Sequence, residues 1–140
     1  MKRIIYLLAL VLTVQSCSQK TEDKGSTSEA IDSQSQIENL DAASFKTKVD
    51  SGNGIILDVR TPGEVAQGYI ANATIIDIYD QNFINQLSKL PKDQEVYVYC
   101  ASGVRSVQAA EILHQNGFTK VYNLSEGLMD WQRSGYPLVK

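Results

Sequence analysis

The run from Glu95 to Tyr99, the turn Cys100-Ala101-Ser102-Gly103-Val104-Arg105-Ser106 and the stretch Val107 to Asn116 together constrain this chain more than any other feature. Alternating valine and tyrosine describe a buried strand. Val107, Ala110 and Leu113 recur at helical spacing, and Gly117 supplies a stop. A strand, a short glycine-containing turn and a helix aim the turn's backbone N–H groups at one point. Such a nest attracts negative charge, and the helix N-terminus adds its partial positive charge. The turn opens with a cysteine. A thiol held in an electropositive pocket ionises more readily, because its surroundings favour the thiolate.

The neighbouring segments alternate in the same way. Ile37 to Leu40 reads as a short edge strand. Asp41 is placed to cap a helix with Ala42, Phe45 and Val49 on one face. Ile55-Ile56-Leu57-Asp58-Val59 is an apolar run closed by a charge, as in a buried parallel strand. Thr61-Pro62-Gly63-Glu64 is a helix start, with proline at the first helical position and glutamate placed for a capping box; that helix should stop at Gly68. Ile75 to Ile78 reads as a further strand. A helix from Asp80 or Asn82 should turn Phe83, Ile84, Leu87 and Leu90 inward and end before Pro91. Lys120 to Leu124 is a last strand, and Ser125 is placed to cap a helix running through Trp131. Strands alternating with helices predict an α/β sandwich, a mostly parallel sheet flanked by helices. Ligands in such folds sit beyond the carboxyl ends of the strands. Asp58-Val59-Arg60 and Cys100 both fall at such ends, so one crevice can hold both.

The composition excludes several classes. With 140 residues there is room for one domain. The net charge is −3 and the 13 lysines and arginines are scattered, so no nucleic-acid footprint is present. The two cysteines, Cys17 and Cys100, form no CxxC pair, and His114 is the only histidine. Neither a metal site nor a cofactor is expected from that inventory, and a histidine-based triad is hard to assemble.

The N-terminus reads as a targeting segment. Lys2 and Arg3 precede the apolar run Ile4 to Val14, which as a helix spans about 16 Å, against about 30 Å of hydrocarbon. That fits a secretory signal better than a membrane span. The sequence Val14-Gln15-Ser16-Cys17 resembles the lipobox of bacterial lipoproteins, which implies a signal peptide over 1–16 and lipidation of Cys17. Residues 17–37, poor in large apolar side chains, read as a disordered tether with a reach of roughly 25 Å. The folded domain is expected over 38–140, held at a membrane of the bacterial envelope and facing the periplasm. With Cys17 lipidated, Cys100 has no intramolecular partner. An exposed thiol in an oxidising compartment is open to oxidation, so a thiol reductant or redox protein partner is expected.

Four pieces then align with one family. Asp58-Val59-Arg60 with Glu64 resembles a "DVR…E" segment, and Gly68-Tyr69-Ile70 with Ala73 a "GHI..A" segment. Cys100 to Ser106 resembles the "CxxGxRS" active loop of rhodaneses. Leu124, Gly127, Trp131 and Gly135-Tyr136-Pro137 resemble the closing "L.GG…W…G.P". The chain is therefore similar to a single-domain rhodanese over about residues 38–140. The resemblance implies a three-layer rhodanese fold and sulfurtransferase activity. On that resemblance Cys100 is expected to take sulfane sulfur from a thiosulfate-like donor as a persulfide and to pass it to an acceptor such as cyanide or a thiol. Two positions depart from the pattern. Tyr69 stands where histidine is common, and Glu126 where the first of two glycines is common. A carboxylate bordering the pocket repels anionic donors.

The resemblance assigns catalysis to Cys100 and substrate binding to Ala101, Ser102, Gly103, Val104, Arg105 and Ser106; Arg60 either lines the pocket entrance and binds substrate or pairs with Glu64. Arg105 either steers an anionic donor or braces the loop, and the family analogy points to the first. Gly103 is expected at positive φ. Ser106 is expected to cap the helix or bond the sulfur. Asp58 and Glu64 read as structural supports, Trp131 as core and His114 as surface. Two other readings fit the same loop: a non-catalytic persulfide-carrying, docking or thiol-redox module of the envelope, and an arsenate reductase or phosphatase. The phosphatases of this fold use a loop one residue longer than the six residues from Cys100 to Arg105, which favours sulfur over phosphate.

Overall fold

The computed structural model describes residues 36–140. The expected signal peptide, the Cys17 lipidation site and almost all of the tether lie outside those residues. Five strands, β1 (Gln36–Leu40), β2 (Ile55–Asp58), β3 (Thr74–Ile75), β4 (Val96–Tyr99) and β5 (Lys120–Leu124), form one sheet in the order β1-β5-β4-β2-β3. Every pairing is parallel, so the sheet is wholly rather than mostly parallel. The helices are α1 (Ala42–Asp50), α2 (Pro62–Val65), α3 (Phe83–Leu87), α4 (Val104–Gln115) and α5 (Gly127–Arg133). Among the described residues no helix is long and apolar enough to cross a membrane.

Successive side chains of a strand point to opposite faces, and β4 uses both. Val96, Val98 and Cys100 join one core with Phe83 and Leu87 of α3 and with Ala109, Ala110 and Leu113 of α4. Tyr97 and Tyr99 join the other, with Phe45 of α1 and Leu128 and Trp131 of α5. The result is three layers. It also decides where the cysteine side chain goes: Cys100 continues the Val96-Val98 row and lies on the α4 face.

Several boundaries differ from the sequence reading. β1 starts at Gln36, two residues before the expected domain edge at 38, because Gln36 and Ile37 are in register with Lys120 and Val121. β3 is confined to Thr74 and Ile75; Ile76 and Ile78 instead donate single backbone bonds to the Asp58 and Val59 carbonyls. On the short helix α3, Phe83 and Leu87 are buried but Ile84 is 54% exposed, since only one side of a five-residue helix meets the core. Ser125 does not cap α5: its hydroxyl donates to the Leu40 carbonyl, tying β5 to β1. Asp41 does cap α1, accepting from the Ser44 N–H at 2.7 Å. α4 starts at Val104, three residues earlier than expected, which puts half of the cysteine turn inside the helix's first turn.

Phe45 is fully buried and meets Tyr97 and Trp131 edge-on, at centroid distances of 6.0 and 6.2 Å. Phe45→Ala should lower the unfolding free energy by about 3–5 kcal/mol, read as a fall in the urea midpoint with an unchanged slope.

Candidate active site

The Cys100 sulfur lies where β4 ends and α4 begins. The Gly103 N–H donates to Sγ at 3.1 Å, and the Ser106 hydroxyl lies 3.5 Å from it. That hydroxyl is closer to the Gly103 carbonyl, at 3.0 Å, so Ser106 steadies the turn and touches the sulfur rather than capping the helix. Burial by itself pushes the Cys100 thiol up. The Ser106 hydroxyl and the N–H groups of Ser106, Ser102 and Gly103 oppose it, and the net result lies below the ordinary thiol value. The Gly103 N–H and the Ser106 hydroxyl thus meet one sulfur at the start of α4.

Gly103 makes that convergence possible. Its φ is +92°, and a Cβ there would meet the Ser125 carbonyl oxygen at 1.8 Å. Both the left-handed backbone and the close approach of the Ser125-Glu126-Gly127 turn therefore require glycine. The same turn is bonded to the loop from the other side: the N–H groups of Leu128 and Met129 donate to the Cys100 and Ala101 carbonyls.

The sequence places the thiol in the open; the structure does not. Cys100 is 0% exposed, although Ser102 and Val104 in the same loop are exposed. The strand's alternation sends Sγ under α4, a consequence visible only once α4 is seen to pack on that face.

The two arginines are committed to carboxylates. Arg60 forks onto Asp58 inside the protein, with Nη2 at 2.6 Å and Nε at 2.9 Å from its oxygens, and Nη2 also donates to the Gly68 carbonyl at 2.9 Å. Asp58 additionally accepts from the Arg60 N–H. Arg60 thus braces the segment between β2 and Gly68 through Asp58, and it also lines the cleft beside the loop. Arg105 forks onto Glu64, at 2.8 and 2.6 Å. The expected steering of a donor by Arg105 meets a guanidinium whose end is already occupied. Bonds from Arg105 hold the Glu64 carboxyl down, burial opposes them, and bonds from the Thr61 hydroxyl and N–H assist, so Glu64 falls to about 2. Its contribution to stability is therefore present above its unfolded value of 4.5 and lost as pH falls through about 2. The pair is partly exposed, so solvent screening keeps that contribution to about 1 kcal/mol.

A cleft lies beside the loop at the carboxyl ends of β2 and β4, where the sequence predicts a crevice, and Arg60 and Glu64 help to line it. Gln67, Gly68, Ala101, Met129, Gln132 and Leu138 are among its lining residues, and its volume is about 190 Å³. Nothing in the spacing of Gln67 and Gln132 shows that they line one cleft. A larger hollow of about 470 Å³ lies between the turns that precede β2 and β4, at the amino ends of the strands, and holds none of this chemistry. His114 is half-buried on α4 rather than a surface residue, and Trp131 is core, its indole N–H donating to the Pro137 carbonyl.

Residues 41–134 match the Rhodanese-like domain family, more than half of the chain. The chain belongs to the rhodanese-like domain family. It is 36% identical over 104 residues to a sulfurtransferase of Allochromatium vinosum, covering 74% of this chain and 95% of that protein. It is 32% identical to a putative sulfurtransferase of Bacillus subtilis, covering 73% of this chain and 97% of that one. Among solved structures it resembles a rhodanese-like domain protein from Staphylococcus aureus, with a TM-score of 0.63, 32% identity, and coverage of 74% and 99% of the two chains.

Alkylation of Cys100 measured against pH should reach its half-maximal rate below the ordinary thiol value of 9.0. Ser106→Ala should move that midpoint up by roughly half to one pH unit, the worth of one hydrogen bond to the thiolate. An unmoved midpoint would show that the amides alone hold the charge.

Proposed function

We propose that this rhodanese-like protein is a sulfurtransferase that carries sulfane sulfur on Cys100. The observation that supports it most directly is the Cys100 sulfur at the end of β4, with the Gly103 N–H donating to it at 3.1 Å and the Ser106 hydroxyl 3.5 Å away. With thiosulfate as donor, the Cys100 thiolate attacks the outer sulfur, the S–S bond of the donor breaks, and sulfite leaves with the bonding pair. The charge then resides on the outer sulfur of the Cys100 persulfide, where oriented N–H groups stabilise it as they did the thiolate. An acceptor thiolate or cyanide attacks that outer sulfur in turn, and Cys100 leaves as thiolate. Neither step needs a general base while the resting thiol is ionised. Because Cys100 is 0% exposed at rest, the loop's exposed side chains must give way slightly for a donor to reach the sulfur. The six-residue loop favours this reading over phosphoryl chemistry, which needs a wider cradle.

Incubation with thiosulfate should add one sulfur atom to Cys100 by intact mass, and subsequent cyanide should remove it as thiocyanate. Cys100→Ser should abolish both signals; unchanged thiocyanate formation in that variant would overturn the assignment.

We further propose that the N-terminal segment delivers this domain to the bacterial envelope as a lipoprotein, on the strength of the basic start, the apolar run and Cys17. Expressed in a bacterium, the chain should partition with membranes, and Cys17→Ala should release it. Equal partitioning of the two would argue against lipidation.

A further inference from the structure

One side of the active loop is fixed by packing and the other by charge. On the first side, a Cβ at Gly103 would meet the Ser125 carbonyl oxygen at 1.8 Å, and the N–H groups of Leu128 and Met129 donate to the Cys100 and Ala101 carbonyls at 2.9 and 3.1 Å. Backbone lies against backbone there, so no side-chain rotation loosens it. On the second side, Arg105 reaches Glu64 of α2 with both terminal nitrogens, at 2.8 and 2.6 Å. Among the described residues this is the one ion pair that joins the loop to another element. Its side chains are 18% and 32% exposed, so ions from solution reach it.

Arg105 belongs to the segment that covers the sulfur. Gly103 and Ser106, whose N–H and hydroxyl lie 3.1 and 3.5 Å from Sγ, flank it in the chain, and Cys100 beneath them is 0% exposed. A reagent that reaches the sulfur displaces this segment. The packed side holds, so the opening falls on the side tied to Glu64. Glu64 releases Arg105 at little cost. Its Oε2 also accepts from the Thr61 N–H at 3.1 Å and the Thr61 hydroxyl at 2.8 Å, so the carboxylate keeps partners afterwards. It also lines the cleft of about 190 Å³ beside the loop, which gives it room to turn. The guanidinium has no such reserve. Its further neighbour is the Tyr79 ring, centred 6.0 Å from the guanidinium carbon, which lacks the paired oxygens of a carboxylate. An oxyanion from solution supplies them.

Resting on the sulfur-transfer reading, we propose that the Glu64–Arg105 pair is a latch that holds the loop closed over Cys100, and that an oxyanion taking the place of Glu64 on Arg105 opens it. Glu64 is then a positioning residue: it never touches the reacting sulfur and acts through Arg105 on the segment that covers it. Closed, the latch keeps the thiolate from solvent. The anion that opens it stays at the mouth of the loop, where the sulfur becomes accessible.

The test alkylates the full-length chain with iodoacetamide, a neutral reagent, and counts the product on the Cys100 peptide by mass. The rate is followed against pH to its plateau, where the thiol is fully ionised. Glu64→Gln should raise that plateau about fivefold, the worth of one partly exposed ion pair in the opening equilibrium. Charge alone cannot do this: removing a carboxylate favours the thiolate, and a less basic thiolate attacks more slowly. In the wild-type chain sulfate should raise the plateau toward the variant's value and saturate, and chloride at equal ionic strength should do less. A Glu64→Gln plateau at or below the wild-type one, or equal wild-type rates in sulfate and chloride, would overturn the latch. Either result leaves sulfur transfer standing, because alkylation draws on no sulfane sulfur. The sulfate comparison needs no variant, so it decides the matter if Glu64→Gln does not fold. A wild-type chain that forms no thiocyanate would overturn the sulfur-transfer reading itself.

Discussion

A sulfur atom at the end of β4 is buried, and the hydrogen-bond donors around it, the Ser106 hydroxyl among them, are what favour charge there. Burial by itself opposes the thiolate, and the hydroxyl of Ser106 and the amides of Ser106, Ser102 and Gly103 reverse the balance. That requirement propagates outward. The amides converge because α4 begins at Val104, directly after the left-handed Gly103. The backbone at Gly103 is pressed against the Ser125 carbonyl, which fixes β5 and the start of α5 relative to the loop. The two sides of the loop are thus one packing problem, and a side chain at either glycine of this contact, Gly103 or Gly127, would break it.

Electrostatics on the far side follows from the same arrangement. The Asp58–Arg60 pair is buried, and its extra bond to the Gly68 carbonyl means that neither charge lacks partners. A buried pair of this kind contributes little net stability against an apolar replacement but is costly to break by halves. Its structural effect is to pin the segment that carries α2. Glu64 on α2 then reaches back to Thr61 and across to Arg105. The capping box read from the sequence is present and does more than cap: the carboxylate that satisfies the Thr61 N–H also neutralises the loop's arginine. One residue links the local helix start to the charge of the active site.

The two faces of the sheet divide the labour. The α4 face, lined by valines and alanines, admits close packing over the sulfur. The α1/α5 face is aromatic, with Phe45, Tyr97, Tyr136 and Trp131 meeting at centroid distances of 5.0 to 6.2 Å. The Tyr99 hydroxyl accepts from the Ile70 N–H at 3.0 Å, so the strand that delivers Cys100 is also tied to the segment after Gly68. Rigidity in this layer supports the loop from below and leaves the loop's own exposed side chains as the part free to adapt.

The sequence by itself determined the alternation of strands and helices, the strand–turn–helix around Cys100, and the need for glycine at 103. These follow from local rules: hydrophobic period, capping residues, and backbone freedom that only glycine has. It also determined the family, because four short motifs occur in order. Only the tertiary structure decided what the charged residues face. The family resemblance points Arg105 toward a donor, and only the structure shows Asp58 and Glu64 at 2.6 Å from Arg60 and Arg105. Sequence reasoning placed Cys100 in the open, Ile84 in the core and Ser125 at a helix cap. Each of those depends on which neighbour arrives from a distant part of the chain, and local periodicity carries no record of that.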